Sequence, residues 1–418
     1  MVAVGYARNR CTNSHFLTAW ACLSIRDATR VYPTRKGAVT WKAIVCALIL
    51  TRLAHAASTW PPQLEMQVPF EPTAFSSGGK TYLTYELYLT NFEANPTTIR
   101  RIVVFDADKS DATPITTFEA GPLDTLLQPI GDQRSADGNS ARNQLAAGGT
   151  VVVFLWIALD RGTHMPDRLR HRVLTTDFSV EGAVISTNHT ALLVLSSPVR
   201  GADWLASDGP SNDQDNHHRR GILIFEGRAQ ISRRYAIDWQ QVEKGTTFSG
   251  DASDKRSYHA YGKPVLAVAD SKVVISRDGL PENVPGHNEG FSPAVPITPD
   301  TVAGNTIVLA LGGQQFAHYL HLQPGSLRVK AGDHVRRGQV MAQIGDSGDA
   351  REPHLHFQVS TSSNPLAGEG VPYLIDKYSV KSPNDTWQMR TRELPLGGMV
   401  IDFGQSRPLS SGNQTFPQ

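Results

Sequence analysis

The stretch KTYLTYELYLTNF, at residues 80–92, places apolar side chains at every second position, at Leu83, Tyr85, Leu87 and Leu89. Side chains two apart on a β-strand lie on the same face, so this alternation predicts a strand with one buried face. Similar short apolar runs recur along the chain, and helical periodicity is weak throughout. With 35 glycines and 26 prolines available for turns, the pattern predicts an all-β protein.

The strand pattern divides the chain into two parts. Short alternating strands over residues 57–200 predict an N-terminal immunoglobulin-like β-sandwich domain. The polar, turn-rich residues 201–216 are predicted to form a linker. Closely spaced strands over 217–380 predict an antiparallel β-sheet domain, and residues 381–418 are predicted to be a C-terminal extension that is partly disordered.

Residues 1–56 have the order of a leader and signal peptide. Lys42 precedes an apolar core at 43–50, and Ala-His-Ala at 54–56 offers a small-x-small cleavage site. The core is too short to span a bilayer, and an uncleaved anchor or a chance apolar patch is the alternative. We therefore predict export to the periplasm or the extracellular space.

The mature chain predicted from this signal contains no cysteine, because all three cysteines lie in the first 46 residues. A metal site in it must then use histidine and carboxylate ligands. The 40 basic and 39 acidic residues nearly balance, so nothing in the overall charge indicates a nucleic-acid partner.

The stretch PHLHFQV, at residues 353–359, sets two histidines on one face of a predicted strand. His354 and His356 alone are weak evidence for a site. His321 and Asp238 each lie at the end of another apolar strand pattern, and each can bind a metal or carry a proton. Four such groups in one domain predict a metal site.

Residues 217–377 resemble the lysostaphin-type zinc metallopeptidases, which cut peptide cross-bridges in bacterial peptidoglycan. The similar segments follow in order: AIDW (236–239), GKPVLAVADSKVV (262–274), GNTIVLAL (304–311), HYLHLQPGSLRVKAGDHVRRGQVMAQIGDSG (318–348) and PHLHF (353–357). The resemblance implies a peptidase domain at 217–380, one zinc ion and a peptidoglycan peptide as substrate. It also implies that the sandwich positions this domain, on the cell wall or on a protein partner.

The resemblance also implies roles for the four site residues. Asp238 and His356 match the metal ligands, and His354 and His321 match two unliganded histidines beside the metal. Zinc with an open coordination position activates water and polarises a carbonyl. We expect His354 to transfer the proton and His321 to stabilise the oxyanion, with the two roles open to exchange.

One position departs from the family pattern. The family's first metal motif is a histidine, three residues and an aspartate, but the residue four before Asp238 is Arg234. A guanidinium has no lone pair for zinc. Arg234 is left with three interpretations: it holds a substrate carboxylate or phosphate, it pairs with an acidic side chain, or it is an ordinary surface residue.

The segment upstream suggests a replacement ligand. If a hairpin pairs Phe225 with Ala229, its register brings His218 beside the strand that carries Asp238. Directly paired residues share a face, which favours His218, while a shift of register leaves His217 as the alternative. The opposing interpretation is a solvated basic patch on an inactive domain.

Two functions follow from these alternatives. The first is an exported zinc endopeptidase that hydrolyses peptidoglycan peptides. The second is a non-catalytic domain of the same fold that binds cell-wall peptide or regulates a partner hydrolase. The joint presence of Asp238, His321, His354 and His356 favours the enzyme, because a decayed site has no physical reason to keep all four.

Overall fold

The computed structural model describes residues 61–109, 113–119, 121–131, 142–286 and 290–404. The predicted leader and signal peptide at 1–56 and the end of the predicted C-terminal extension lie outside these residues. Among the described helices, none has the length and apolarity needed to cross a membrane.

The N-terminal part is built from ten β-strands and one short helix among the described residues. In chain order the elements are β1 (Leu64–Gln67), β2 (Ala74–Ser77), β3 (Lys80–Asn91), β4 (Thr97–Asp106), β5 (Thr116–Glu119), α1 (Pro122–Leu126), β6 (Leu127–Pro129), β7 (Gln144–Leu145), β8 (Thr150–Asp160), β9 (Arg168–Thr175) and β10 (Ser179–Ser186).

These strands form two antiparallel sheets that face each other. One sheet has the order β1-β3-β8-β6 with β2 beside β3, and the other has the order β10-β9-β4-β5 with β7 beside β4. Leu87 and Val153 of the first sheet share one buried core with Val104 and Val173 of the second. The predicted β-sandwich is confirmed.

The regular secondary structure of the second part of the chain consists almost entirely of strands. They are β11 (Val194–Leu195), β12 (Trp204–Ser207), β13 (Leu223–Phe225), β14 (Arg228–Gln230), β15 (Ile237–Gln241), β16 (Pro264–Leu266), β17 (Ser271–Arg277), β18 (Asn305–Gly312), β19 (Gln315–Leu322), β20 (His334–Val335), β21 (Val340–Gln343), β22 (Leu355–Ser360), β23 (Leu374–Lys381), β24 (Trp387–Glu393) and β25 (Val400–Asp402). A 3₁₀ turn, Lys255–Ser257, follows β15.

Most of these strands join one large sheet in the order β11-β23-β25-β12-β15-β22-β19-β18-β17-β20, with β24 beside β23. Apart from the parallel pair β11 and β23, its neighbours run antiparallel, as predicted. One face of the central strands packs into the core, through Trp204, Trp239, Tyr319 and Phe357. The residues between these positions therefore point to the opposite face.

The interpretation of 201–216 as a linker is wrong. Trp204–Ser207 is a strand that pairs with both β15 and β25, and Trp204 and Ala206 are buried. The predicted boundary at 380 also divides the sheet, because β24 and β25 lie in the segment assigned to the extension and pair with β23. The sheet around the site thus takes strands from both sides of 217–380.

Candidate metal centre

Neighbouring strands of the large sheet align the first site residues on one face. Asp238 on β15 lies directly opposite Ser207 on β12 and opposite His356 on β22. Directly paired residues share a face, and His354 joins them because it precedes His356 by two positions. His356 Nδ1 lies 2.8 Å from Asp238 Oδ1, and His354 Nε2 lies 3.5 Å from the same oxygen.

A β-bulge brings His321 to the same place. Strand alternation alone would put His321 on the face of Tyr319, which is buried in the core. The pairing register of β18 and β19 shifts here, and His321 adopts φ 63°, in the left-handed region that few non-glycine residues enter. Its ring centroid lies 4.9 Å from that of His354, and its Nδ1 donates a hydrogen bond of 2.8 Å to the Ser347 carbonyl.

Gly304 allows Ser347 to reach His321. Its φ is +65°, and a Cβ at this position would lie 2.4 Å from the Ser347 carbonyl oxygen. Only glycine leaves room for that close backbone approach. The orientation of the His321 ring therefore depends on a residue that does not itself touch the site.

The predicted route of His218 to the site is wrong. The hairpin of β13 and β14 pairs Ile224, not Phe225, with Ala229, and it includes only residues 223–230. The strand beside β15 on that side is β12, so His218 is not paired with β15 at all. Its position comes from a loop, whose shape strand periodicity does not predict.

Asn216 organises that loop. Its side-chain oxygen accepts hydrogen bonds from the backbone N–H groups of His218 and Arg219, at 2.9 and 3.0 Å. Its amide nitrogen donates to the carbonyls of Asp208 and Gly209, at 3.1 and 2.8 Å. One buried side chain thus joins the start of the loop, just after β12, to the turn that carries His218.

The hydrogen bonds of His218 fix which ring nitrogen carries the proton. Nδ1 lies 2.8 Å from the Asp208 carbonyl, which can only accept, so Nδ1 is the donor in the neutral ring. Nε2 then presents a lone pair, 3.5 Å from Asp238 Oδ1. This nitrogen is buried and has no hydrogen-bond partner among the described residues. Burial also holds the pKa of His218 well below its ordinary value, which favours the neutral ring.

His356 shows the same arrangement from the other side of Asp238. Gln358 donates its amide N–H to the Pro365 carbonyl, so its amide oxygen is left to accept from His356 Nε2, at 2.8 Å. Nδ1 of the neutral ring then carries a lone pair and faces Asp238 Oδ1. Two acceptors at 2.8 Å repel each other unless a proton or a metal cation lies at the site.

Asp238 is the anion around which these imidazoles gather. Burial by itself would raise the pKa of its carboxyl group, but the rings of His218, His354 and His356, which attract the carboxylate when they are protonated, hold that pKa well below the ordinary range. The group is therefore a carboxylate at neutral pH. A carboxylate and two imidazole lone pairs form the kind of donor set that zinc prefers, so these residues fit the metal.

His217 lies beside this set and is more exposed. Its Nε2 is 3.7 Å from Asp238 Oδ2, and its Nδ1 is 3.4 Å from a carboxylate oxygen of Asp208. Ligand atoms of His217, His218 and Asp238 all lie within 4.8 Å of one another. His217 is 42% exposed in its side chain against 1% for His218, so His218 is the more firmly oriented of the two.

The site opens into a cavity of about 430 Å³. His321 and His354 line it together with Leu320, and His354 Nδ1 donates a hydrogen bond of 2.7 Å to the Glu352 carbonyl. Basic side chains line another part of the wall, among them Arg220 and Arg233. The cavity can thus hold an extended polar ligand beside the cluster of imidazoles.

Arg234 lies away from this cavity, buried between the two parts of the chain. Its Nε donates a hydrogen bond of 2.8 Å to the Glu86 carboxylate on β3, and its Nη1 donates to the Ser211 carbonyl at 3.1 Å. Of the three interpretations of Arg234, pairing with an acidic side chain is the one that the structure shows. The interpretation as a surface arginine is wrong, since its side chain is only 2% exposed.

Sequence reasoning missed two residues that orient the site. Asp208 supplies the carbonyl that fixes the His218 ring, and Gln358 supplies the oxygen that fixes the His356 ring. Gln358 continues the alternation of the H-x-H strand, two positions after His356, so the pattern placed it on the site face. No comparable signal marked Asp208, because a backbone carbonyl acts independently of residue type.

Comparison with known families locates part of this domain. Residues 257–367 match the model of peptidase family M23. That stretch contains His321, His354 and His356, and it begins after His218 and Asp238.

Known proteins match over similar short stretches. The chain is 33% identical over 86 residues to the peptidoglycan DD-endopeptidase ShyB of Vibrio cholerae, which covers 21% of this chain and 20% of that protein. It is 33% identical over 116 residues to the glycyl-glycine endopeptidase ALE-1 of Staphylococcus capitis, covering 27% of this chain and 26% of that protein. These matches span about a fifth to a quarter of the relatives' length. The solved catalytic domain of lysostaphin from Staphylococcus simulans matches at 22% identity and TM-score 0.21, over 41% of this chain and 84% of that one.

Proposed function

Because the chain carries a domain of peptidase family M23, we propose that it is an exported, zinc-dependent endopeptidase that hydrolyses peptide bonds of bacterial peptidoglycan. The names of two relatives, a peptidoglycan DD-endopeptidase and a glycyl-glycine endopeptidase, support a peptide substrate of this class. The sandwich would position the peptidase domain, on the wall or on a protein partner.

The observation that carries the proposal is the unpartnered nitrogen of His218. A buried polar atom without a hydrogen bond destabilises the folded protein, so it is retained where another interaction compensates for it. Here it points toward Asp238, which also faces the Nδ1 lone pair of His356. His218 Nε2, the Asp238 carboxylate and His356 Nδ1 would together hold the zinc ion.

Zinc, when bound, lowers the pKa of a water molecule and polarises the scissile carbonyl. The orientation of the ligands is fixed by the chain itself. A ligating histidine that donates its other N–H to a carbonyl is held in one tautomer, which is the arrangement of His218 with Asp208. His356 has the equivalent support from Gln358.

His354 and His321 provide the proton transfers in this proposal. Both donate Nδ1–H to backbone carbonyls, of Glu352 and Ser347, so both carry the lone pair of the neutral ring on Nε2. Each Nε2 can take up a proton from the attacking water and then donate it to the leaving amine or to the oxyanion. Because the two rings make equivalent hydrogen bonds, these bonds do not distinguish their roles. The assignment of His354 as the base and His321 as the oxyanion partner stays a prediction.

Metal analysis of paired histidine variants tests the site. We expect the purified wild type to hold one zinc ion per chain and to lose cleavage of purified peptidoglycan on treatment with a chelator, with recovery when zinc is added. His218→Ala should lose zinc and activity, whereas His217→Ala, which removes the neighbouring exposed ring, should keep its zinc. Unchanged zinc content in His218→Ala would refute the ligand assignment.

The same preparation separates the enzyme from the alternative function. A folded wild-type protein that binds peptidoglycan without cutting it, with or without added zinc, would identify a binding or regulatory domain.

For export, we expect fractionation to recover the protein outside the cytoplasm, with an N-terminus near residue 57. Recovery of the uncleaved chain from the cytoplasm would contradict that part of the proposal.

A further inference from the structure

Arg233 lines the cavity and forms no ion pair with any residue that the structure describes. It lies in the turn between β14 and β15, one residue before Arg234, and its side chain is partly buried. Its Nε is fully buried and has no hydrogen-bond partner among the described residues, and none of the ion pairs found there includes Arg233. Arg234 next to it, in contrast, is paired with Glu86.

The turn that carries His218 leaves space for this guanidinium. A Cβ at Gly221 would lie 2.7 Å from Arg233 Nη2 and 3.1 Å from the His217 carbonyl oxygen. A side chain at 221 would therefore push the guanidinium away from its present position. Arg233 is packed against the backbone of the loop that also carries His217 and His218, which sets it at the edge of the metal centre.

None of the acidic groups that line the cavity forms an ion pair with Arg233 within the described part of the chain. Asp238 faces the imidazoles, and the remaining pairs are Asp349 with Arg351 at 3.3 Å, Asp208 with His217 at 3.4 Å, and Glu352 with Gln240 and Thr247. Burial lowers the pKa of Arg233, and the negative charges of Asp238 and Asp349 partly offset that lowering. A guanidinium nonetheless stays charged at any physiological pH.

A partly buried cation without a counter-ion is destabilising, and an anion supplied from outside removes that cost. The flat, forked guanidinium matches a carboxylate in particular, because two parallel N–H groups can bind its two oxygens. In a cavity that receives a peptide, the available carboxylates are those of the substrate.

We propose that Arg233 binds a free carboxylate of the substrate and so determines specificity. The protein would act on cross-linked peptides that carry a carboxylate near the scissile bond, in preference to uncharged oligoglycine bridges. The inference rests on the proposed peptidase function and refines it, since the two relatives named above, a DD-endopeptidase and a glycyl-glycine endopeptidase, leave this choice open.

A matched pair of peptides tests the proposal. The two differ only in one group next to the scissile bond, a carboxylate in the first and its carboxamide in the second, and pentaglycine serves as a third probe. We expect the wild type to cleave the carboxylate peptide with a kcat/KM at least about tenfold above that of the carboxamide, mainly through a lower KM. Pentaglycine should be a poorer substrate than the carboxylate peptide.

Variants of Arg233 connect that preference to one side chain. Arg233→Gln should bring the ratio of the two kcat/KM values close to one. Arg233→Lys should retain part of the preference, because lysine keeps the positive charge but loses the forked geometry. Arg336→Gln, which removes an exposed arginine outside the cavity, serves as the matched control and should keep the wild-type ratio. Melting temperatures and zinc contents of all variants verify that the fold and the metal site are intact.

Two results would overturn the inference while leaving the peptidase intact: equal cleavage of the two peptides by the wild type, or an unchanged ratio in Arg233→Gln. Absence of any cleavage by the zinc-loaded wild type would instead count against the proposed function. Calorimetric binding of the same two peptides to wild type and Arg233→Gln then decides the role of Arg233 independently. A preference for the carboxylate that is lost in the variant supports it, and equal affinities reject it.

Discussion

The buried pair of Arg234 and Glu86 provides a test of how the sandwich is held to the large sheet. Their side chains are 2% and 8% exposed, and Arg234→Met would leave Glu86 without its counter-ion. Removing one partner of a buried ion pair in this way costs about 3–5 kcal/mol.

These energies translate into measurable melting shifts. With an unfolding entropy of about 2.1 cal/mol/K per residue, a unit of roughly 350 residues loses about 1.4 °C for each kcal/mol. We expect Arg234→Met to melt about 4–7 °C below the wild type, by calorimetry in matched buffers.

A double-mutant cycle separates the pair from its surroundings. Glu86→Gln alone leaves Arg234 as an unpaired buried cation and should also destabilise, by about 3–5 kcal/mol. The combined variant Glu86→Gln/Arg234→Met contains no buried charge at this pair and should recover most of the loss. Single variants within about 1 kcal/mol of the wild type, or a combined variant no more stable than either single variant, would refute the reasoning. Zinc content should not change in Arg234→Met, since Arg234 does not reach the metal site.

Three further outcomes follow from the site and the sandwich core. His321 has φ 63°, a backbone conformation that asparagine tolerates and that costs a β-branched residue about 1–3 kcal/mol. The His321→Asn variant should therefore have a higher melting temperature than His321→Val. Equal melting temperatures would argue against backbone strain at this position. Gly304→Ala should displace the Ser347 carbonyl that orients His321 and lower kcat by at least about tenfold at unchanged zinc content, and an unaltered kcat would contradict this role. Burial lowers the pKa of His171 to about 4, so between pH 6.5 and 4 only the unfolded chain takes up this proton and stability falls as pH falls. The free energy of unfolding of His171→Gln, measured with urea, should fall less steeply with decreasing pH than that of the wild type, with a difference of up to about 3 kcal/mol at pH 4. The same decline in both proteins would exclude this contribution.

Features of the site that depend on short-range pattern were predictable from the sequence. The spacing of His354 and His356 placed both rings on one strand face, and the strand alternation at 80–92 identified the longest strand of the sandwich. Both depend only on the two-residue period of a β-strand, which is a property of neighbouring residues.

Features that depend on distant partners were not predictable. The four residues Trp204–Ser207 resemble a loop until β15 and β25 pair with them on either side. The position of His218 depends on the hydrogen bonds of Asn216, which strand periodicity does not describe. The bulge at His321 reverses the direction that alternation assigns to its side chain, and the partner of Arg234 lies on another domain.

The insertion of β12 between β15 and β25 also decides which fragment of this protein can be studied alone. A fragment beginning at 217 would lack β12, and the N–H and C=O groups on the edge of β15 that pair with it would face solvent. An open strand edge of this kind invites pairing with other chains, and here it would lie along the strand that carries Asp238. The smallest piece that retains the whole candidate metal centre therefore starts before Trp204, and inactivity of a shorter one would report aggregation rather than chemistry.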